Sequence, residues 1–501
     1  MEIVKSDIEV HKINEVSLRI KTDSRIMGEL RRWFRARPPG YRFMPLFRNR
    51  LWDGWTYFIN KGILPTGLLN SLKEFADKGK YTLYNATNDI QDAEESDVRD
   101  FVTALELPFA IRDYQFNAIY NGFVKKRLNI EAPTGSGKSL MIYGLTRLML
   151  YEEKPVLIIV PKTSLASQLY GDFIEYGWDD AYNSVTTIYG GRSKNFEMPV
   201  VISTWQTLIQ EVKKKNFHIF ERFGAIFCDE SHNAKALSIM TIASKCINAE
   251  WRIGFSGTQP AIKTTDWFNS VGSLGPVESF VSYDALRKAN HIAGVEITNL
   301  FLKYPYSICE YNYINNKSQY TDEIYYIYEN PSRVKFIVTL VKALQNNTIV
   351  LFSKIDQGKR LFQELSKSSD KKILYIDGGV ATADREHIRT IMEQNDNVVL
   401  VGSYSCIAEG MNVKNIHNIV AASSYKSKVK TLQSIGRGVR VKDGKTTVKI
   451  FDIIDDLSID VNENGINKKY ISYGMKHYKE RKKIYESVGF DPPKNQRILL
   501  S

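Results

Sequence analysis

The stretch APTGSGKS, residues 132–139, constrains this chain more than any other, because few folds can hold it. RLNIE, residues 127–131, leads in as a buried strand, and LMIYGLTRLMLY, residues 140–151, leads out with apolar residues at helical spacing. Gly135 and Gly137 let the backbone curl so that successive N–H groups point at one anion, while the new helix adds its positive end. With Thr134 and Ser136 they form a cradle that fits a polyphosphate. Lys138 supplies a point charge for the β- and γ-phosphates, and Ser139 a hydroxyl for Mg²⁺. Ala132 stands where the full pattern has its first glycine, yet the Gly-x-Gly-Lys-Ser core is whole.

From residue 107 onward strands and helices alternate, which is the sign of an α/β fold with a doubly wound parallel sheet. AIFCDESH, residues 225–232, is an apolar strand ending in Asp229 and Glu230, so both carboxylates emerge at the edge where the phosphate loop lies. Asp229 is expected to hold Mg²⁺, and Glu230 to orient and deprotonate an attacking water. His232 reads two ways, as a core histidine or as a relay of the nucleotide's state. WRIGFSGT, residues 251–258, ends in Ser256 and Thr258, donors suited to the Asp-Glu segment. Upstream of the loop stand Arg112 and Gln115, and a glutamine amide offers a way to read adenine. The strands VLIIVP and VVIST are followed by Ser164, Thr204 and Gln206, where an open sheet places its ligands and where helix caps also fall.

A chain of 501 residues that is 43% hydrophobic and 25% charged is an ordinary globular protein of several domains. No apolar run is long enough to span a bilayer, and the N-terminus lacks a signal-peptide core, so a cytoplasmic protein without a membrane partner is expected. Cys228, Cys246, Cys309 and Cys406 lack CxxC spacing, which argues against a disulfide framework or a zinc site. The 68 Lys+Arg against 56 Asp+Glu give +12 and point to a polyanionic partner.

Residues 1–88 read as a small α+β domain opening on alternating strands, with Val16, Leu18 and Ile20 on one face. Eight arginines (Arg25, Arg31, Arg32, Arg35, Arg37, Arg42, Arg48, Arg50) then face one acid, Glu29, interleaved with Trp33, Phe34, Tyr41, Phe43 and Phe47. Arginine pairs with phosphate and aromatics stack on bases, so this composition suits a nucleic-acid surface. It equally suits a small aromatic core with a solvated basic face, and both readings can hold together.

APTGSGKS, DESH and SGT in that order resemble the first motor lobe of superfamily-2 helicases of the DExH type. The second lobe follows in TIVLFSK (348–354), ILYIDG (373–378), VVLVGSYSCIAEGMNV (398–413) and QSIGRGVR (433–440). With the arginine-rich stretch running into LWDGW, and FDIIDD at 451–456, the chain is most similar to the bacteriophage recombination helicases. The resemblance implies two tandem RecA-like lobes, with domains at 1–88 (basic, nucleic-acid-binding), 89–300 (lobe 1), 301–332 (linker), 333–456 (lobe 2) and 457–501 (basic helical extension). It implies that Gln433, Arg437 and Arg440 serve the γ-phosphate, that Glu409 and Gly410 touch nucleotide and nucleic acid, and that ATP and Mg²⁺ are used. The implied partner is DNA (duplex, branched or RNA–DNA hybrid), with single-stranded-DNA-binding and recombination proteins as candidates. Arg31, Arg32, Arg35, Arg37, Ser164, Thr204 and Gln206 are the expected nucleic-acid contacts of a monomer acting in the host cytoplasm.

The activity expected from this resemblance is ATP-driven unwinding and branch migration of forks, Holliday junctions and R-loops. The alternatives are an RNA helicase or nucleoprotein-remodelling motor, a restriction-nuclease motor, and a strand-annealing protein with an accessory ATPase. The acid-x-Lys pairs Glu152–Lys154 and Asp443–Lys445 fall in turns of the motor lobes and make no nuclease site. In the tail, seven Lys+Arg against one acid between Lys468 and Lys483 accompany Ile471, Met475, Tyr478, Tyr485 and Val488 on one helical face. That helix is expected to pack on the second lobe, with its basic side a further candidate for phosphate contact.

Overall fold

The computed structural model describes residues 6–87, 91–190, 195–231, 236–316, 320–410, 413, 415–423, 447–463, 466–488 and 490–500. The chain forms two compact units, Met1–Val281 and Ser282–Ser501.

At the N-terminus, β1 (Ile8–Lys12) and β2 (Ser17–Thr22) pair antiparallel, and alternation buries Ile8, Val10, Leu18 and Ile20 on one face. The short strands β3 (Arg35–Ala36) and β4 (Thr56–Tyr57) form a separate ribbon, while β5 (Ile63–Pro65) pairs with β2 and β6 (Leu83–Asn85) lies parallel to β1. The helix Ser24–Trp33 covers the sheet, its first turn capped by the Asp23 carboxylate, which accepts the Ile26 N–H at 2.8 Å. Ile26, Leu30, Phe34, Leu64, Leu68 and Leu72 complete a core that also takes in Phe268 and Val271. Those two belong to the helix Thr265–Leu274, so this small domain closes its core with part of the motor lobe. Gly67 permits the contact, since a Cβ there would stand 2.0 Å from the Val271 carbonyl oxygen.

The first motor sheet contains β7 (Arg127–Glu131), β8 (Val156–Val160), β9 (Val185–Ile188), β10 (Val200–Thr204), β11 (Ala225–Asp229), β12 (Trp251–Ser256) and β13 (Val277–Ser279). The order is β13-β7-β12-β11-β8-β10-β9, and every pair is parallel. Continuous apolar runs form these strands because both faces are covered. Ile158, Val160 and Phe227 enter one core, while Leu157, Ile159 and Ile226 enter the opposite one. β7, β12 and β11 are neighbours, so APTGSGKS, SGT and DESH leave the sheet side by side at one edge.

The second unit holds β14 (Gly294–Lys303), β15 (Thr348–Phe352), β16 (Ile373–Ile376), β17 (Val399–Ser403), β18 (Asn418–Ala421), β19 (Thr447–Asp456), the hairpin β20 (Ile459–Glu463) and β21 (Ile466–Tyr470), and β22 (Lys494–Leu499). Its parallel sheet runs β16-β17-β15-β18-β19-β14-β22. The two doubly wound lobes and the small mixed-sheet domain expected from the sequence are therefore present.

Two segments hold more structure than a linker and a single helix. Residues 301–332 are not a bare linker. Leu302 and Lys303 lie in β14, which pairs with β19 over ten residues, and the helices Tyr306–Asn316 and Tyr320–Glu329 place Cys309, Ile324 and Ile327 in the second lobe's core. The tyrosines of this segment divide between surface and core, with Tyr306, Tyr311 and Tyr325 exposed and Tyr328 buried. The C-terminal extension is helical over Tyr473–Val488, but it also supplies the hairpin and the edge strand β22. One of its basic residues faces inward. Arg481 is buried and donates to the Asp452 carboxylate at 2.9 Å. Asp455 likewise accepts Arg333 Nε at 2.7 Å and Nη2 at 3.0 Å, and the Tyr304 hydroxyl at 2.7 Å. FDIIDD thus carries the anchoring carboxylates of this lobe, because a buried arginine needs a paired, hydrogen-bonded anion.

Candidate active site

Gly135 and Gly137 hold φ of 88° and 84°, a conformation that glycine adopts without a steric cost, and this curls the loop toward the helix Lys138–Tyr151. The loop is fixed from three sides. The Ala132 N–H donates to the Ser256 carbonyl at 2.8 Å, and the Gln115 amide and the Tyr114 hydroxyl both donate to the Ser136 carbonyl, at 2.8 and 2.9 Å. Gln115 accepts the Arg112 N–H at 3.0 Å, and Arg112 Nη1 donates to the Tyr114 hydroxyl at 2.9 Å. The expected pair Arg112 and Gln115 therefore does stand at the loop. Its amide, 5% exposed, is engaged in shaping the loop at both ends. Tyr114 was not singled out from the sequence, where a tyrosine beside a glutamine carries no signal of its own.

Lys138 Nζ donates to the Ala132 carbonyl at 3.2 Å and lies 4.0 Å from Glu230 Oε1. The two charged side chains that were read independently from APTGSGKS and DESH are thus brought together. Glu230 has φ of 51°, left-handed backbone that costs a non-glycine residue on the order of 1–2 kcal/mol. The Glu230 N–H donates to Asp229 Oδ1 at 3.0 Å, and the Ser231 N–H to the Phe255 carbonyl at 3.0 Å. SGT meets the loop directly. A Cβ built on Gly257 would lie 3.7 Å from Lys138 Nζ and 3.8 Å from the Thr134 nitrogen.

Ser139 occupies the first turn of the loop's helix and Asp229 the end of β11. Among the described residues no group of three or more His, Cys, Asp or Glu side chains could hold a metal alone. A hydroxyl and a carboxylate are the kind of protein donors that Mg²⁺ could take beside phosphate oxygens and waters.

Ser164 begins the helix Thr163–Glu175 after β8, and Thr204 precedes the helix Trp205–Lys213 after β10. Gln206 Nε2 donates to the Pro161 carbonyl at 3.2 Å, joining these two strand ends. Thr204 Oγ1 lies 3.0 Å from Thr207 Oγ1.

In the arginine-rich stretch the two readings divide by residue. Phe34 is fully buried, whereas Phe43, Leu46 and Leu51 are 78%, 58% and 74% exposed. The arginines stack on rings: Arg35 and Arg37 lie 4.1 and 4.4 Å from the Trp55 ring, and Arg31 lies 5.0 Å from Tyr57. Arg42 and Arg37 both donate to the Tyr41 hydroxyl, and the Arg42 hydrogen bond lowers that phenol below its ordinary range. Arg31, Arg32 and Arg37 remain exposed.

His232, Gln433, Arg437 and Arg440 lie outside the described residues. Glu409 and Gly410 end the helix Tyr404–Gly410, and their side-chain surroundings fall outside the description as well.

Residues 7–86 match the family described as DNA helicase UvsW, N-terminal; residues 108–261 match the type III restriction enzyme res subunit; and residues 332–442 match the helicase conserved C-terminal domain. The ATP-dependent DNA helicase uvsW of Enterobacteria phage T4 is 32% identical over 97% of this chain and 98% of its own. The chain belongs to the UvsW family of ATP-dependent DNA helicases. The crystal structure of T4 UvsW matches with a TM-score of 0.51 at 31% identity, covering 99% of this chain and 100% of that one. Yeast Dbp5 bound to RNA, at 12% identity and a TM-score of 0.53 over 81% of this chain and 94% of its own, shares the fold of the UvsW family's motor.

Proposed function

We propose that this protein is an ATP-driven DNA helicase and translocase that unwinds and branch-migrates forks, Holliday junctions and R-loops in recombination, repair and replication control, acting as a monomer. The observation that carries the motor reading is the approach of Lys138 to Glu230 across the joined ends of β7, β12 and β11. In this reading the backbone from Thr134 to Ser139 binds the ATP phosphates, Lys138 balances their charge, and Glu230 takes the proton of the attacking water. Ser139 and Asp229 would hold Mg²⁺, which screens the phosphate charge when bound. Gln433, Arg437 and Arg440 are the proposed arginine-finger set. Such residues are worth roughly 10³ to 10⁵ in rate where they have been measured.

Support for a branched or duplex substrate comes from Arg31, Arg35 and Arg37, stacked on Trp55 and Tyr57, of which Arg31 and Arg37 are exposed. Planar cations held over rings suit sugar–phosphate and base contact with little sequence preference. The deciding experiment compares ATPase rates with single-stranded DNA, duplex DNA, RNA and a four-way junction, for wild type and Glu230→Gln. Strongest stimulation by branched or duplex DNA, lost in the variant, is expected. Stimulation by RNA alone would replace this reading with an RNA helicase.

A further inference from the structure

Among the described residues of the first unit, Thr66, Ser136, Ser231, Thr258 and Gln259 carry buried side-chain N or O atoms with no hydrogen-bond partner. Thr66 apart, all of them sit on the phosphate loop or on the strand ends beside it. Gln259 stands out within this set, because both ends of its amide, Oε1 and Nε2, are enclosed and unpaired. A buried donor and acceptor without partners are costly, and native proteins rarely tolerate both on one side chain without a use for them.

The turn before Gln259 is well held. Ser256 Oγ donates to the Thr258 carbonyl and accepts the Thr258 N–H, and Gly257 touches the loop. From the neighbouring strand, Ser231 is tied to Phe255 by its backbone, and the residue before it, Glu230, has the strained φ of 51°. Unmet hydrogen bonds and backbone strain therefore coincide where the ends of β11 and β12 meet.

We propose that Gln259 is a positioning residue for ATP hydrolysis: on the loaded phosphate loop its amide pairs with the hydroxyls of Ser231 and Thr258 as the transition state forms, and this pairing fixes Glu230 for attack. The inference rests on the ATPase reading above and deepens it. The chemistry is self-complementary, since an amide donates and accepts at separate atoms and each hydroxyl does both. Hydrogen bonds completed only in the transition state go into rate and not into affinity. Loss of Gln259 should therefore lower kcat and leave KM nearly unchanged.

The test uses full-length Gln259→Met, which fills a similar volume without polar atoms. The expected result is a melting temperature of the free protein equal to or above wild type, with kcat for DNA-stimulated ATP hydrolysis reduced by about tenfold or more. Ser231→Ala should then cost little further in the Gln259→Met background, because one unit has already been broken. A kcat within about twofold of wild type overturns the inference. A fall in kcat accompanied by a lowered melting temperature also overturns it and makes Gln259 a packing residue, and full additivity with Ser231→Ala removes the assigned partner. Lys138→Ala separates the two levels: if that variant still hydrolyses ATP, the ATPase reading fails whatever Gln259 does.

Discussion

Phe268 stacks on Phe58 with ring centroids 4.6 Å apart and planes 22° apart. The first ring belongs to the helix that follows SGT and the second to the N-terminal domain, and Phe34 meets Phe268 edge-on at 6.2 Å. A salt bridge of 2.7 Å between Arg127 and Glu15 adds a polar tie at the start of β7. Phe268→Ala should therefore destabilise the N-terminal domain and the first lobe together, by about 3–5 kcal/mol for a buried phenylalanine. Calorimetry is expected to show one shifted transition for this unit; a separate, unshifted transition for the N-terminal domain would show that the contact is incidental.

Glu230 combines the proposed base with a left-handed backbone, so its substitutions should separate stability from rate. Glu230→Gln keeps the shape and should lose about 10² to 10⁴ in kcat while still binding ATP. Glu230→Gly should lose hydrolysis as fully and yet melt no lower, because glycine relieves about 1–2 kcal/mol of strain against about 0.5–1 kcal/mol of added chain entropy. A glycine variant that melts several degrees lower would mean that the strain is not real.

The hydrogen bonds onto the Ser136 carbonyl give a graded prediction for nucleotide affinity. Tyr114→Phe leaves Gln115 in place and should raise KM for ATP only severalfold. Gln115→Ala also frees the Arg112 N–H, and at about 1 kcal/mol per hydrogen bond should raise KM by roughly tenfold. Gly137→Ala should be worse than either. A Cβ there would stand 2.2 Å from Gln115 Nε2 on a backbone that L residues rarely adopt.

Much of this arrangement is legible in the sequence, and the reasons differ by element. Apolar runs such as VLIIV and AIFCD, five residues long and alternating with helical segments, read as strands covered on both faces, so the order of motifs places Lys138 and Glu230 on one sheet edge. Arg481 and Arg333 could not be read in that way. In a list of residues an arginine looks solvated, and only the fold sets it against Asp452 or Asp455 from a strand far along the chain. Gln259 was missed for a similar reason, since the property that marks it is the absence of a partner, and a sequence does not record partners. The segment from Tyr306 to Glu329 looked like a linker because tyrosine serves both surfaces and cores.

Glu323 offers a test by pH. Its carboxylate is fully buried in the second lobe, accepting the Gly474 N–H at 3.1 Å and the Tyr470 hydroxyl at 3.2 Å, and burial raises its pKa above the ordinary 4.5 despite those bonds. The folded chain thus holds this proton more tightly than the unfolded one. The stability gained is complete below pH 4.5 and is lost as pH rises through the raised value. Glu323→Gln keeps an acceptor for Gly474 and removes the charge, so its melting temperature should exceed wild type at pH 8 and converge on it toward pH 4. A variant less stable than wild type at pH 8 would show that the ionised carboxylate is a net anchor for the helix Tyr473–Val488.

Trp55, with the guanidinium groups of Arg35 and Arg37 both against its ring, gives the last prediction, on the proposed DNA surface. If both arginines reach phosphates, the double substitution to alanine removes two contacts, and the slope of log K against log salt should fall by about 1.8. Because phosphate contacts carry no sequence information, the loss should be similar for duplexes of unrelated sequence. Trp55→Ala leaves both charges in place but unsupports them, so it should weaken binding while preserving most of the slope. Fluorescence anisotropy across a salt series distinguishes the cases. An unchanged slope in the double variant would return these arginines to the role of a solvated face over an aromatic core.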